Sequence, residues 1–172
     1  MPEGWGTKIM QWAKTRYLDA SALVKLVVDE GDHLPVRQFF HSNVNFAATS
    51  LCLAEALGVI KAKWSHGRIS EDQYFAATRE LVIGAWGKRI EVNDVGLFTP
   101  QGLAAVEALA KKHGLDLSDA LQLETILHGR YSHLGPNSAS VLVTADARLA
   151  RAAQAEGICA WNCIASDPPD WA

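Results

Sequence analysis

The chain has 172 residues, of which 49% are hydrophobic and 20% charged, so its length and composition fit one compact domain with a full-sized core. They exclude a disordered or fibrous chain. The net charge is −3 and the sequence pI is near 6.0, which argues against a protein that coats nucleic acid by bulk charge.

The sequence shows no sign of a membrane anchor or an export signal. Its longest uncharged run, residues 131–145, contains Pro136 and Asn137 and is shorter than the ~18 apolar residues of a membrane span. The first 16 residues lack the apolar segment of a secretory signal, so we expect a cytoplasmic protein. Three cysteines suit neither a disulfide framework nor a zinc site, and we expect them to be reduced packing residues: Cys52, Cys159 and Cys163.

Short apolar strands alternate with longer helical patterns along the chain, which is typical of βαβ units around a mainly parallel sheet of four or five strands. In chain order we predict a strand at 15–19, helices at 21–28 and 34–42, a strand at 45–49, helices at 50–64 and 70–86, a strand at 90–92, helices at 99–112 and 119–128, a strand at 140–144, a helix at 146–156 and a strand at 158–161. No linker divides the pattern, so one domain is expected.

We assign residues 15–165 to this domain, with 1–14 as an N-terminal extension and 166–172 as an irregular C-terminal tail. Three apolar side chains in the extension have helical spacing: Trp5, Ile9 and Trp12. An amphipathic extension, a poorly ordered tail and an uncertain start site are all compatible with that pattern.

Four acids follow predicted strands at one edge of the sheet. Asp19 ends the first strand, Glu55 lies five residues past Ser50, Asp119 opens a helix and Asp146 comes two residues after its strand. Ligands bind at the carboxyl ends of parallel strands, so we expect these acids to share a site. Glu55 lies among apolar residues in a helix with a core pattern, where an unpaired carboxylate is costly. Its long side chain leans toward the helix N-terminus and can reach back to this edge.

Carboxylates crowded at one edge repel one another and raise each other's pKa unless a cation compensates them. Ligands that are all oxygen atoms favour Mg²⁺ or Mn²⁺, whereas zinc prefers His or Cys. The histidines have no ligand-spaced helical pair; His128 and His133 flank a loop and are expected at the surface. The sequence therefore predicts a Mg²⁺ or Mn²⁺ site.

Four segments carry a resemblance to a known family: YLDASALVKLVVDEG, TSLCLAEALG, GLDLSDALQLETI and LVTADARLARAAQAEGI. Together they resemble the PIN-domain ribonucleases, most closely the VapC-type toxins of toxin–antitoxin pairs, over residues 16–161. The resemblance implies an α/β/α sandwich that hydrolyses RNA with Mg²⁺ or Mn²⁺. It also implies an antitoxin partner and a homodimer.

Carried over by position, the four acids of the family's metal site fall on Asp19, Glu55, Asp119 and Asp146, with Asp116 as a possible fifth. Ser21 and Thr144 match hydroxyl positions near that site. Basic residues are candidates for binding the RNA backbone, and we select Arg148, two residues after Asp146, as a phosphate contact. The other candidates are Lys25, Lys61, Lys63, His66, Arg68 and Arg151.

Ordinary structural roles compete with each of these assignments. Asp19, Asp116, Asp119 and Asp146 are all suitable helix N-caps, and Glu55 could form a salt bridge. One rival function is a PIN-like scaffold or RNA-binding module with little catalysis. Another is a phosphatase of the haloacid-dehalogenase type, but that chemistry needs an acid where this chain has Ser21.

Overall fold

A computed structural model of the chain describes residues 14–132 and 140–171. Within these ranges, parallel strands form one five-stranded sheet in the order β3-β2-β1-β4-β5. The strands are β1 (Arg16–Leu18), β2 (Phe46–Ala48), β3 (Ile90–Val92), β4 (Val141–Thr144) and β5 (Cys159–Asn162). The predicted parallel sheet is confirmed.

Helices connect the strands on both faces of this sheet. In the described ranges they are α1 (Ala20–Val27), α2 (His33–Ser42), α3 (Ser50–Ser65), α4 (Glu71–Arg79), α5 (Pro100–His113), α6 (Leu117–His128) and α7 (Ala147–Ala155). The single helix predicted over 70–86 instead passes from α4 into a π-helical segment, Glu80–Trp86. There the Gly87 amide donates to the Val82 carbonyl at 3.0 Å, the i to i−5 bond of a π-helix.

Alternating strand residues supply two separate hydrophobic cores. Leu18 and Val143 point into a core that they share with residues of α1–α4. Tyr17 and Leu142 point to the opposite face, into a core that they share with residues of α5–α7. The central strands are thus buried on both sides, and the expected α/β/α sandwich is confirmed.

Helix α3 buries a different face from the predicted one. The 3–4 spacing predicted an apolar stripe through Leu51, Ala54 and Leu57. The fully buried residues are instead Cys52, Ala56 and Ile60. Because side chains at i, i+4 and i+8 share a helix face, this shift turns Ala54 and Glu55 outward.

The start of α6 also differs from the prediction. The helix begins at Leu117, and Asp116 caps it by accepting from the Asp119 backbone amide at 2.9 Å. Asp119 is therefore the third residue of the helix and does not open it. The left-handed Gly114, with φ of 64°, ends the preceding helix α5 and lets the chain turn.

The described residues do not include segments 1–13 and 133–139. These segments contain most of the predicted N-terminal extension and most of the loop expected at 130–137. In the C-terminal tail, Trp171 packs against the core formed with α1–α4, and Trp161 Nε1 donates to the Ser166 carbonyl at 3.0 Å. None of the helices in the described ranges has the length and apolar composition needed to cross a bilayer.

The cysteines differ in exposure. Cys52 and Cys163 are buried and Cys159 is exposed; none is disulfide-bonded. Cys159 lies at the start of edge strand β5, and its neighbour Ala160 faces the core. The prediction that all three are packing residues is therefore wrong for Cys159, because the first residue of this edge strand is exposed.

Candidate metal and catalytic site

One cavity of about 250 Å³ opens at the carboxyl edge of the sheet. All of the predicted acids line it: Asp19, Glu55, Asp116, Asp119 and Asp146. Asp19 directly follows β1, and Asp146 comes two residues after β4, the neighbouring strand in the sheet. The two acids cap the helices α1 and α7. The parallel topology therefore brings together acids from distant parts of the sequence.

Asp19 is held by two hydroxyl groups, one from helix α1 and one from strand β4. Ser21 Oγ donates to Asp19 Oδ2 at 2.6 Å, and Thr144 Oγ1 donates to the same oxygen at 2.9 Å. Burial raises the pKa of Asp19, and these hydrogen bonds oppose that shift. With Oδ2 engaged by both hydroxyls, Oδ1 is the oxygen left for another ligand.

The same two hydroxyls connect Asp19 to the loop that carries Asp146. Ser21 Oγ accepts from the Ala145 amide at 2.8 Å, and Thr144 Oγ1 accepts from the Asp146 amide at 2.9 Å. Asp146 Oδ1 in turn accepts from the Arg148 amide at 2.6 Å. Ser21 and Thr144 thus hold the backbone of Ala145 and Asp146 beside the Asp19 carboxylate.

Asp119 is a buried acid whose pKa is strongly raised. Its side chain is 7% exposed, and burial raises its pKa to about 7, with further increases from the charges of the other cavity acids. Those acids are Asp19, Asp116, Asp146 and Glu55. Four carboxylates therefore surround a buried fifth one, and their charges disfavour its ionisation.

Glu55 reaches the cavity from an exposed position on α3, although its apolar neighbours in the sequence indicated a core helix face. The reason is the rotated burial face of α3. Partial burial raises the pKa of Glu55, as do Asp19, Asp116 and Asp146. The Ser118 hydroxyl opposes these effects by donating to Glu55 Oε2 at 2.9 Å. No predicted salt bridge to Glu55 is found among the described residues.

The basic side chains at this cavity have unequal freedom to bind an anion. Arg148 lines the cavity, its side chain is 54% exposed, and its guanidinium donates to the Gly114 carbonyl at 3.3 Å. Lys25, another predicted RNA contact, is buried and bridges Glu30 and Asp32. Arg148 is thus the more accessible of these two cations.

Two residues of the site were not identified in the sequence as such. Glu30 lines the cavity and is held by Lys25 and Lys63. Ser118 contacts Glu55, although its position near a helix start suggested a cap; Asp116 takes that role instead. The only sequence signal for Ser118 was its place immediately before Asp119, which does not identify a partner on another helix.

The donor set of the cavity fits Mg²⁺ or Mn²⁺, because five carboxylates line it and carboxylate oxygens are the ligands that these ions prefer. In the described residues, however, the carboxylates are not yet positioned to coordinate one ion together. Over residues 14–132 and 140–171, no group of three or more His, Cys, Asp or Glu side chains is arranged so that it could hold an ion. Binding would require side-chain adjustments.

Comparisons with known proteins agree with this architecture. The family model described as PIN domain matches residues 16–155. The crystal structure of PAE2754 from Pyrobaculum aerophilum is similar to this chain with a TM-score of 0.56 and 23% sequence identity, covering 86% of this chain and 84% of the other. At that identity the likeness concerns the fold. A search of curated proteins finds no match.

Proposed function

Because the chain belongs to the PIN-domain family, whose members are generally nucleases that use divalent metals, we propose that it is a Mg²⁺- or Mn²⁺-dependent endoribonuclease. The main support is the single cavity lined by the acids, where the pKa of Asp119 is raised to about 7. A site of this charge is costly unless a cation or protons occupy it.

In this proposal the metal is held by Asp19, Glu55, Asp119 and Asp146, with Asp116 as a further candidate. The ion, when bound, would supply Lewis acidity and positive charge for the attack of water on a phosphodiester. The carboxylates would hold it at the carboxyl edge of the sheet, where an RNA strand can approach from solvent.

The remaining side chains would position these groups and bind the substrate. Ser21 and Thr144 orient Asp19 by engaging its Oδ2 atom. Arg148 has an exposed guanidinium on the cavity wall and would contact an RNA phosphate beside the reacting one. The cavity acids repel phosphate, so Arg148 alone would not recruit RNA.

We further propose that this nuclease is the toxin of a VapBC-type pair, acting on RNA in the cytoplasm, inhibited by an antitoxin and forming a homodimer. The support is the resemblance of the four sequence segments that carry the acids to VapC-type toxins. Expression alone should arrest growth, and co-expression of a small DNA-binding protein encoded beside it should restore growth. Growth unaffected by the active nuclease would contradict the toxin assignment.

The nuclease proposal is tested by incubating purified protein with RNA in Mg²⁺, Mn²⁺ or EDTA. We expect cleavage with either metal and none in EDTA. Asp119→Asn should lower the cleavage rate by about 100-fold or more, because it removes a charged metal ligand. Asp72→Asn is the matched control, since Asp72 is likewise an acid in the first turn of a helix but is exposed on α4. An active Asp119→Asn variant would refute the assignment.

A second function, a PIN-like scaffold or RNA-binding module with little catalysis, is favoured by one observation. Among the described residues, the cavity acids are not arranged to hold an ion without adjustment. Titration of Mn²⁺ into the protein by calorimetry separates the two functions. Heat of binding that disappears in Asp119→Asn supports the nuclease, whereas no binding at millimolar Mn²⁺ supports the scaffold.

A further inference from the structure

We propose that Ser118 is a positioning residue, which holds the Glu55 carboxylate at the cavity so that one of its oxygens remains directed to a metal ion. This inference rests on the proposed function, because it assigns a role within the same site. The hydrogen bond from Ser118 Oγ to Glu55 Oε2, at 2.9 Å, carries it. The bond joins α6 to α3, across 63 positions of the sequence.

The Ser118 hydroxyl is not needed to begin α6. Asp116 is the N-cap of that helix and already accepts the Asp119 amide. Ser118 is the second residue of the helix, is only half-buried, and directs its hydroxyl to the neighbouring helix. A serine that served the helix start alone would bond to a backbone amide of its own first turn.

Glu55 needs such a partner more than the other cavity acids do. It lies on the exposed side of α3, and its long side chain has several rotatable bonds. Asp19, Asp116 and Asp146 repel its charge. Without a donor beside the cavity, rotation into solvent would relieve that repulsion and withdraw the carboxylate. Ser118 supplies the donor and leaves Oε1 for a cation.

The location of Ser118 also links two of the proposed metal ligands. Asp119 follows it directly in α6, and Glu55 is its hydrogen-bond partner on α3. The Ser118–Glu55 bond therefore links these two carboxylates by a short path beside the cavity, while a buried bond from Cys52 Sγ to Gln122 Oε1 at 2.9 Å joins the same helices. Groups that orient metal ligands in this way usually change metal affinity or activity by about 10- to 100-fold when they are removed.

The test compares Ser118→Ala and Ser118→Thr with the wild-type protein. We expect Ser118→Ala to weaken Mn²⁺ binding about 10-fold by calorimetry and to lower kcat without a matching change in the KM for RNA. Ser118→Thr, which keeps a hydroxyl, should restore both. The thermal unfolding temperatures of the metal-free wild type and of both variants should coincide. Ser50→Ala is the matched control, because it removes an exposed hydroxyl from the first turn of α3.

A double-mutant cycle with Glu55→Gln shows whether Ser118 acts through Glu55. If it does, Ser118→Ala should have little further effect on Mn²⁺ binding in the Glu55→Gln protein. A full 10-fold effect in that background, or wild-type affinity in Ser118→Ala itself, would overturn the positioning role and leave the proposed function intact. Failure of the wild-type protein to bind Mn²⁺ would instead overturn the proposed function, and the positioning role with it.

Discussion

Asp119 is a buried residue, 7% exposed, in a cavity that it shares with four other acids, Asp19, Glu55, Asp116 and Asp146. The sequence predicted that Asp119 would share a sheet edge with Asp19, Glu55 and Asp146, because topology alone places the carboxyl ends of parallel strands together. It could not predict that Ser21 and Thr144 bond the same oxygen of Asp19, or that Glu55 is exposed. Those details depend on side-chain rotamers and on the rotation of α3.

Neutralising Asp119 should stabilise the metal-free protein at alkaline pH. Burial and neighbouring acids raise its pKa from 3.8 to about 7, so its contribution to stability is fully present below pH 3.8 and is lost as the pH rises through 7. In EDTA, Asp119→Asn should therefore unfold roughly 5 °C higher than the wild type at pH 8, with the two converging near pH 4. Thermal melts across this range are the measurement. A difference in unfolding temperature that is the same at every pH would contradict this prediction.

At the scale of elements, the order of strands and helices was predictable because apolar runs, caps and turn residues are local signals. Thr99 and Pro100 correctly indicated the start of α5, and Ser70 that of α4. The π-helical segment after α4 was not predictable, since its residues have an ordinary helical pattern. The true start of α6 was missed because several residues before Asp119 are acceptable caps.

The loop between α1 and α2 depends on a buried cation. Lys25 Nζ lies 2.7 Å from Glu30 and 2.5 Å from Asp32, and Lys63 on α3 also pairs with Glu30. Burial raises the pKa of Glu30, but the hydrogen bonds and charges of both lysines outweigh burial and lower that pKa below its ordinary value. These ion pairs hold the Glu30 wall of the cavity against α3.

Replacing Lys25 by Met should reduce the free energy of unfolding by about 1–3 kcal/mol, because Asp32 loses its cation and Glu30 keeps only Lys63. Urea denaturation measures the change. The lowered pKa of Glu30 means that the stabilisation is present above its ordinary pKa of 4.5 and is lost as the pH falls through the lowered one, so the difference should shrink in acid. Lys112→Met, which breaks an exposed pair with Glu156, is the control and should cost about 0.5 kcal/mol or less. Equal losses would show that Lys25 is an ordinary surface cation.

For the whole molecule, the negative charge is concentrated at one place. Leaving the four proposed ligands out of the count changes the net charge from −3 to +1. The overall acidity that argued against a nucleic-acid partner is therefore largely a property of the cavity. A divalent ion bound in the cavity would replace the repulsion of phosphate by attraction.

RNA binding should consequently depend on metal. Fluorescence anisotropy with a 2′-O-methyl oligoribonucleotide, which resists cleavage, should show at least about 10-fold tighter binding in Mn²⁺ than in EDTA at matched ionic strength. Asp119→Asn should weaken this dependence, and Asp72→Asn should leave it unchanged. Equally tight binding in EDTA would show that RNA binds away from the acidic cavity.

The hydroxyl bridge from Thr144 to Asp19 also has a consequence for the biosynthesis of the protein. Its two ends are 125 positions apart, and β4 pairs with the central strand β1. A ribosome must therefore synthesise the greater part of the chain before Asp19 acquires this partner or Asp146 joins the cavity. The early segments can form helices and the β1–β2 pair, but the complete acid set exists only after β4 has been released from the exit tunnel. An incomplete nascent chain consequently lacks the full constellation on which the proposed nuclease activity depends.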